Sequence, residues 1–269
     1  PCIRVLSCAA ESPAMTLRLL DAGDAAFTVE FGDAVDPSLL AAVQALDAGI
    51  ARERAAGGLP GLIETMPTFR SLTVFFDPLR TGRAELIEAL QPLFTAAEHA
   101  PPVDGRHWRL PVCYDGEAGP DLDATAAATG LTPDEVVALH SGTEFRVYML
   151  GFMPGFPFMG DHPERLRLPR RTEPRVRVPP GSVAIAGGLT AIYPWESPGG
   201  WHLLGRCPVR LFDPERDSPS VLAVGDRVRF APVPTAEFRR LEAAVQARAI
   251  DPSHWLANDP ATESLSGGP

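Results

Sequence analysis

The chain contains no lysine: all 24 of its basic residues are arginine. That absence excludes a P-loop lysine, a Schiff-base lysine, a biotinyl-lysine and a lysine general base. Any phosphate the protein handles is left to arginines, backbone amides or a partner protein. Long apolar runs are missing too. None approaches the roughly 20 residues of a membrane helix, and the first ten residues are too short in apolar stretch and too poor in positive charge for a signal peptide. Cysteine is scarce, with four in 269 residues and no C-x-x-C pair. Cys113 and Cys207 stand alone in apolar settings and read as buried free thiols of a reducing, cytoplasmic compartment. G-x-S-x-G, H-E-x-x-H, G-x-G-x-x-G and Walker A motifs are absent. The six histidines are scattered, which leaves a metal site without local support. By itself, the chain does not read as a complete enzyme.

Net charge is −10, which argues against nucleic acid as the main partner. The charge is uneven, however. Between Asp161 and Phe230 eleven arginines face eight acids, so this stretch is positive within an acidic chain. Such a pattern fits either an anion site or a solvated arginine-rich face.

Hydrophobic patterning divides the chain. Met15 reads as the natural start, with residues 1–15 a leader or disordered. Residues 16–100 read as a small α+β unit of two strands, a helix from Pro37 capped by Asp36, two more strands and a second helix. That order predicts an antiparallel sheet with helices on one face. After a boundary near Pro101-Pro102, residues 107–233 read as mostly short strands and turns, interrupted by two short helices at about 121–141. Thr132 and Glu135 form a capping box for the second of these. The strand spacing implies a closed or packed all-β unit. A C-terminal helix follows at 234–250, and residues 257–269 read as a disordered tail. The fold class is α+β.

Gly, Pro and Arg concentrate in 151–214, where apolar residues interleave with them as they would not in a linker. GFMPGFPFMG (151–160) fixes a tight loop whose aromatics either plug a barrel or wall a ligand pocket. PRRTEPRVRVPPGS (169–182) places Arg175 and Arg177 on one side of an extended segment, and forked guanidinium donors suit carboxylate or phosphate. Surface salt bridges are the competing account of these arginines. Gly187-Gly188 and Gly199-Gly200 could offer bare amides to an anion. His202 is the best-placed titratable side chain, and His140 reads as a structural, helix-terminal histidine.

These motifs, GFxPGFPxxG, PRxxPRxxVPxGSVxIAGG, YPxxSPGGWxxxGR and LFDP in that order, resemble the group known as allophanate hydrolase subunit 1. That group is understood mainly as the B subunit of ATP-dependent 5-oxoprolinase. It also includes a histidine-kinase inhibitor and half of the carboxyltransferase domain of urea amidolyase. The likeness extends over roughly 16–232. It implies a cyclophilin-like β-barrel for the second domain. It also implies ATP, with Mg2+, as cofactor, held in part by a partner, and partners in the larger C subunit and the A subunit of 5-oxoprolinase. The implied reaction opens 5-oxoproline to glutamate on a shared surface. The alternatives are kinase inhibition or a carboxyltransferase acting on urea derivatives. On this reading Arg175, His202 and Ser182 are the catalytic candidates. Phe156, Phe158, Thr190, Tyr193, Ser197, Gly199, Gly200 and Arg206 would bind substrate, and Arg170, Arg171, Gly187 and Gly188 the nucleotide. One departure stands out: Leu189 occupies a position where a polar residue, often Gln, is expected.

Overall fold

A computed structural model describes residues 15–102 and 104–257. The leader expected before Met15, with Cys2 and Cys8, and the tail from 258 lie outside the described residues. The chain divides at 103/104 into two units.

In the first unit β1 (Arg18–Asp21) and β2 (Ala26–Glu30) precede α1 (Pro37–Ala55), then β3 (Leu62–Pro67), β4 (Ser71–Phe76) and α2 (Arg83–Glu98). The strands form an antiparallel sheet ordered β1-β2-β4-β3. Alternation in β4 buries Leu72, Val74 and Phe76, which share a core with Leu39, Val43 and Leu46 of α1 and Leu90 and Phe94 of α2. Asp36 caps α1 by accepting from the Ser38 amide at 2.8 Å.

The second unit begins with β5 (His107–Val112), α3 (Leu122–Thr129) and α4 (Pro133–Gly142). The Thr132–Glu135 capping box forms as expected: the Thr132 hydroxyl accepts from the Glu135 amide, and Glu135 accepts from the Thr132 amide at 2.8 Å. There follow β6 (Phe145–Leu150), β7 (Pro157–Gly160), β8 (Arg175–Val178), β9 (Ser182–Ala186), β10 (Leu189–Ile192), β11 (Ser197–Gly199), β12 (His202–Arg206), β13 (Arg227–Pro232) and α5 (Thr235–Gln246).

Seven of these strands form one sheet, ordered β12-β9-β10-β7-β6-β13-β5. Its ends meet where Cys113, just past β5, exchanges two backbone hydrogen bonds of 2.9 and 2.8 Å with Arg206 of β12. The result is a nearly closed barrel. The β13–β5 pairing is parallel, a feature that short-range turn signals could not announce. α5 stops at Gln246, short of the expected 250, and a 3-10 turn at Pro252–Trp255 then buries Trp255 against the barrel core.

Alternation in β9 explains how the barrel is dressed. Val183 and Ile185 join the interior with Leu110, Val147 and Val228. Ala184 and Ala186 belong to a second core with Ala191, Leu203, Phe156, Tyr193 and Trp201. Small residues on that outer face leave room for the rings. β8 and β11 form a separate two-stranded ribbon beside this second core, which takes in Val178 of β8. Among the described residues, no helix is long and apolar enough to cross a membrane. Cys113 and Cys207 are buried free thiols, and burial pushes the Cys207 thiol up to about 12.

Candidate functional site

The β8–β11 ribbon is organised around a residue that sequence reading passed over, Asp121. It stands just ahead of α3 and is 4% exposed. Arg175 grips its carboxylate with both terminal nitrogens, at 2.8 and 2.6 Å. Arg171 donates to the same carboxylate at 3.1 Å, and the Leu203 amide does so at 2.7 Å. Burial pushes the Asp121 carboxyl up. The hydrogen bonds from Arg175 and Leu203, with the charges of Arg175 and Arg171, outweigh that and hold it below the usual carboxylate range. About a quarter of the Arg175 side chain and three tenths of Arg171 stay exposed. Arg170, next in the chain, is exposed and has no ion pair among the described residues. Three guanidiniums thus stand against one buried carboxylate, which leaves an excess of positive charge at the surface.

Other predicted residues converge here. Gly199 lies opposite Arg175 in the ribbon register, and the Gly200 carbonyl accepts from the Arg171 amide at 2.8 Å. Tyr193 is buried beneath them. Burial pushes its hydroxyl up to about 12 while the charges of Arg170 and Arg175 pull it down. His202 is half-buried and bonds through Nε2 to the Pro169 carbonyl at 3.0 Å, one residue before Arg170. Ser197, beside Val178 in the ribbon, has a buried hydroxyl oxygen with no hydrogen-bond partner among the described residues.

Gly199 is required by contact rather than by its dihedral angle. A Cβ there would run into the Tyr193 hydroxyl. Gly199→Ala should cost about 1–3 kcal/mol of stability, as overpacking does. Adding Tyr193→Phe to the same chain should recover part of the loss in a denaturant titration, because the ring edge remains close to the new Cβ. No recovery in the double variant would show that the hydroxyl contact does not set the cost.

Several expected site residues lie elsewhere or are already engaged. Phe156 is 2% exposed, edge-on to Tyr193 at 5.0 Å and to Trp201 at 6.3 Å. It belongs to the outer-face core rather than to the barrel interior, with Phe158 at its margin. The aromatic ring left exposed by the loop is that of Phe152, at 67%. Leu189 packs at the edge of the same core.

Ser182 is buried with its hydroxyl donating to the Pro179 carbonyl at 2.8 Å. Arg206 turns to α5, where it pairs with Glu242 at 3.1 Å and covers the Phe238 ring. Arg177 pairs with Glu196 on the exposed face. Gly187 and Gly188 make the two-residue turn of the β9–β10 hairpin, with φ of 59° and 82°. These are the positive angles a type I′ turn demands. The Gly187 amide already donates to the Leu168 carbonyl at 2.6 Å, so it is not the bare amide expected of a phosphate cradle.

Thr190 lies fully buried, in a polar chain. Its hydroxyl donates to the Ala184 carbonyl at 3.1 Å, so it must accept from His140 Nε2 at 3.0 Å. His140 Nδ1 is then the acceptor for the Tyr114 hydroxyl at 2.9 Å. Burial, with the nearby charge of His162, pushes His140 down to about 3, so the ring is neutral, as this donor pattern requires.

Among the described residues, no group of three or more His, Cys, Asp or Glu is placed to hold a metal. The donor set at the ribbon, cationic and forked, suits an anion such as a carboxylate or a phosphate.

Known proteins resemble this chain over most of its length. Residues 17–222 match the family described as carboxyltransferase domain, subdomain C and D. The chain is 38% identical over 230 residues to the B subunit of 5-oxoprolinase from Bacillus subtilis, covering 80% of this chain and 92% of that protein. It is 45% identical over 174 residues to the B subunit of 5-oxoprolinase from Escherichia coli O157:H7, covering 65% and 79%. Among solved structures, TTHA0988 is 40% identical with a TM-score of 0.67 over 77% of this chain, and the match spans 40% of that longer chain. The urea amidolyase of Kluyveromyces lactis has a TM-score of 0.72 at 21% identity, over 86% of this chain and 16% of the other, a likeness of fold.

Proposed function

The chain belongs to the family of the carboxyltransferase domain, subdomain C and D, and from that premise we propose that it is one component of a heteromeric, ATP-dependent 5-oxoprolinase. The observation that carries this reading is its 38–45% identity to relatives named as the B subunit of 5-oxoprolinase. The excess of guanidinium charge on the β8–β11 ribbon supports it. The substrate, 5-oxo-L-proline, is a five-membered lactam bearing a carboxylate. Opening it breaks the ring C–N bond, adds the oxygen of water to the carbon and returns a proton to nitrogen, giving L-glutamate. ATP would supply the driving force by passing its γ-phosphoryl group to the amide oxygen, which releases ADP and makes the carbon electrophilic; a second water would then release that phosphoryl as inorganic phosphate.

In this assignment Arg170, whose charge has no carboxylate partner among the described residues, takes the substrate carboxylate or a phosphate. Arg171 and Arg175, held rigid by Asp121, present fixed positive charge to the developing oxyanion. The larger C subunit and the A subunit complete the surface, and ATP with Mg2+ is held in part by them. The site of action is the cytoplasm.

The test is glutamate release from 5-oxoproline with ATP, using this chain with and without its candidate partners. Turnover is expected only in the complete mixture. Arg170→Ala should reduce kcat/KM about tenfold or more, the cost of one charge-assisted hydrogen bond, with unchanged assembly and thermal stability. A folded, confirmed complex that releases no glutamate would reject the reading, and inhibition of a histidine kinase would then be assayed.

A further inference from the structure

A second cationic site lies on the barrel wall, among residues the proposed reaction does not use. β5 and β13 run parallel in a register that sets His107 beside Arg227 and Arg109 beside Arg229. The intervening residues, Trp108, Leu110, Val228 and Phe230, are buried in the barrel core. All four basic side chains therefore project from the opposite, outer face. Together with the end of α4 they line a groove of about 580 Å³, within the range of small-ligand sites.

The counter-charge there is incomplete. Glu144 lies 3.3 Å from Arg229, 3.8 Å from Arg227 and 3.7 Å from His107. Asp104 serves Arg227 as well, at 3.3 Å. Arg109 has no carboxylate partner among the described residues. Three arginines thus face two carboxylates, which leaves one positive charge at the Arg109–Arg229 row. Like charges directly opposite on neighbouring strands destabilise a sheet, and an anion bound between them would relieve that. Beside them Ala138, Gly142, Ala231 and Pro232 give the groove a small, mainly apolar stretch of wall.

We propose that this groove binds a small organic anion, its carboxylate or phosphate held between Arg109 and Arg229 and its short aliphatic body against the end of α4. The proposal is independent of the 5-oxoprolinase reading.

Calorimetric titration of the full chain at low salt, with hexanoate and separately with inorganic phosphate, tests it. Saturable binding of at least one probe is expected, and which one binds identifies the anionic group. Arg109→Ala and Arg229→Ala should each weaken that binding about tenfold. Arg240→Ala, which removes a guanidinium already paired with Glu237 on α5, should leave it unchanged. Both arginines here are exposed, so their removal should not prevent folding, which circular dichroism would check. The proposal is overturned if neither probe saturates, if Arg109→Ala binds as tightly as the parent, or if Arg240→Ala alone abolishes the signal.

Discussion

Asp121→Ala should lower the stability of the second unit by about 3–5 kcal/mol, the range for breaking a buried ion pair from one side. The carboxylate is nearly inaccessible and takes hydrogen bonds from Arg175, Arg171 and the Leu203 amide. Its removal strands two guanidiniums side by side and orphans a buried N–H. Asp121→Asn keeps an acceptor but no charge and should cost less. Arg175→Ala should cost about 2–3 kcal/mol, because Arg171 and the Leu203 amide still hold the carboxylate. The double variant should lose less than the sum of the two single losses. All four tryptophans, Trp108, Trp195, Trp201 and Trp255, lie in the second unit, so their fluorescence in denaturant reports it alone. An Asp121→Ala chain that unfolds at the parent's midpoint would remove Asp121 as the anchor of the ribbon.

The same pair has a pH signature. Asp121 is depressed in the folded state, so its contribution is fully present above the ordinary Asp value near 4. It is lost as pH falls through the depressed value. This also bears on how activity is dissected. Arg175→Ala disturbs a structural pair as well as any ligand contact. Arg170 has no such pair among the described residues, and its removal reads the ligand alone.

What could be read in the sequence was local. Asp36 ahead of Pro37, and Thr132 three residues before Glu135, announce helix starts because caps act within one turn. The β4 alternation announces a half-buried strand for the same reason. Arg175 is legible as a forked donor on an extended segment, yet its partner lies 54 residues away, toward the N-terminus, in an Asp-rich stretch with no signature. Arg206, a substrate-binding candidate by resemblance, pairs with Glu242, 36 residues later. The aromatics of 151–160 signalled burial but not the side. Only the pairing of β9, β10 and β12 distinguishes the barrel interior from its outer face. The parallel β13–β5 pair, which builds the second cationic groove, joins segments whose paired residues, such as His107 and Arg227, stand far apart in the chain. Pairings over such separations depend on the whole fold.

The polar chain inside the barrel makes the protein acid-sensitive in a second, larger window. His140 is fully buried, stacked on Phe230 with ring centroids 4.8 Å apart and planes within 6°. It is neutral, with Nδ1 accepting from Tyr114 and Nε2 donating to Thr190. Its folded value, near 3, lies below the ordinary 6.5, so between these two pH values the unfolded chain binds a proton that the folded one refuses. Stability must therefore fall as pH drops below about 6.5, by about 1.4 kcal/mol per unit from this residue. His162, pushed down to about 4 chiefly by burial, adds a comparable share over its own range. Together they should remove roughly 4–5 kcal/mol between pH 6.5 and 4.5, comparable to the whole stability of many domains. His140→Gln isolates the effect. The Gln amide oxygen can accept from Tyr114 and its NH2 can donate to Thr190, which preserves the chain without a titrating group. The variant should lose about half of the pH dependence in tryptophan-detected urea unfolding while staying folded at pH 7. If parent and variant fall with equal steepness between pH 6.5 and 4.5, His140 does not carry the acid sensitivity.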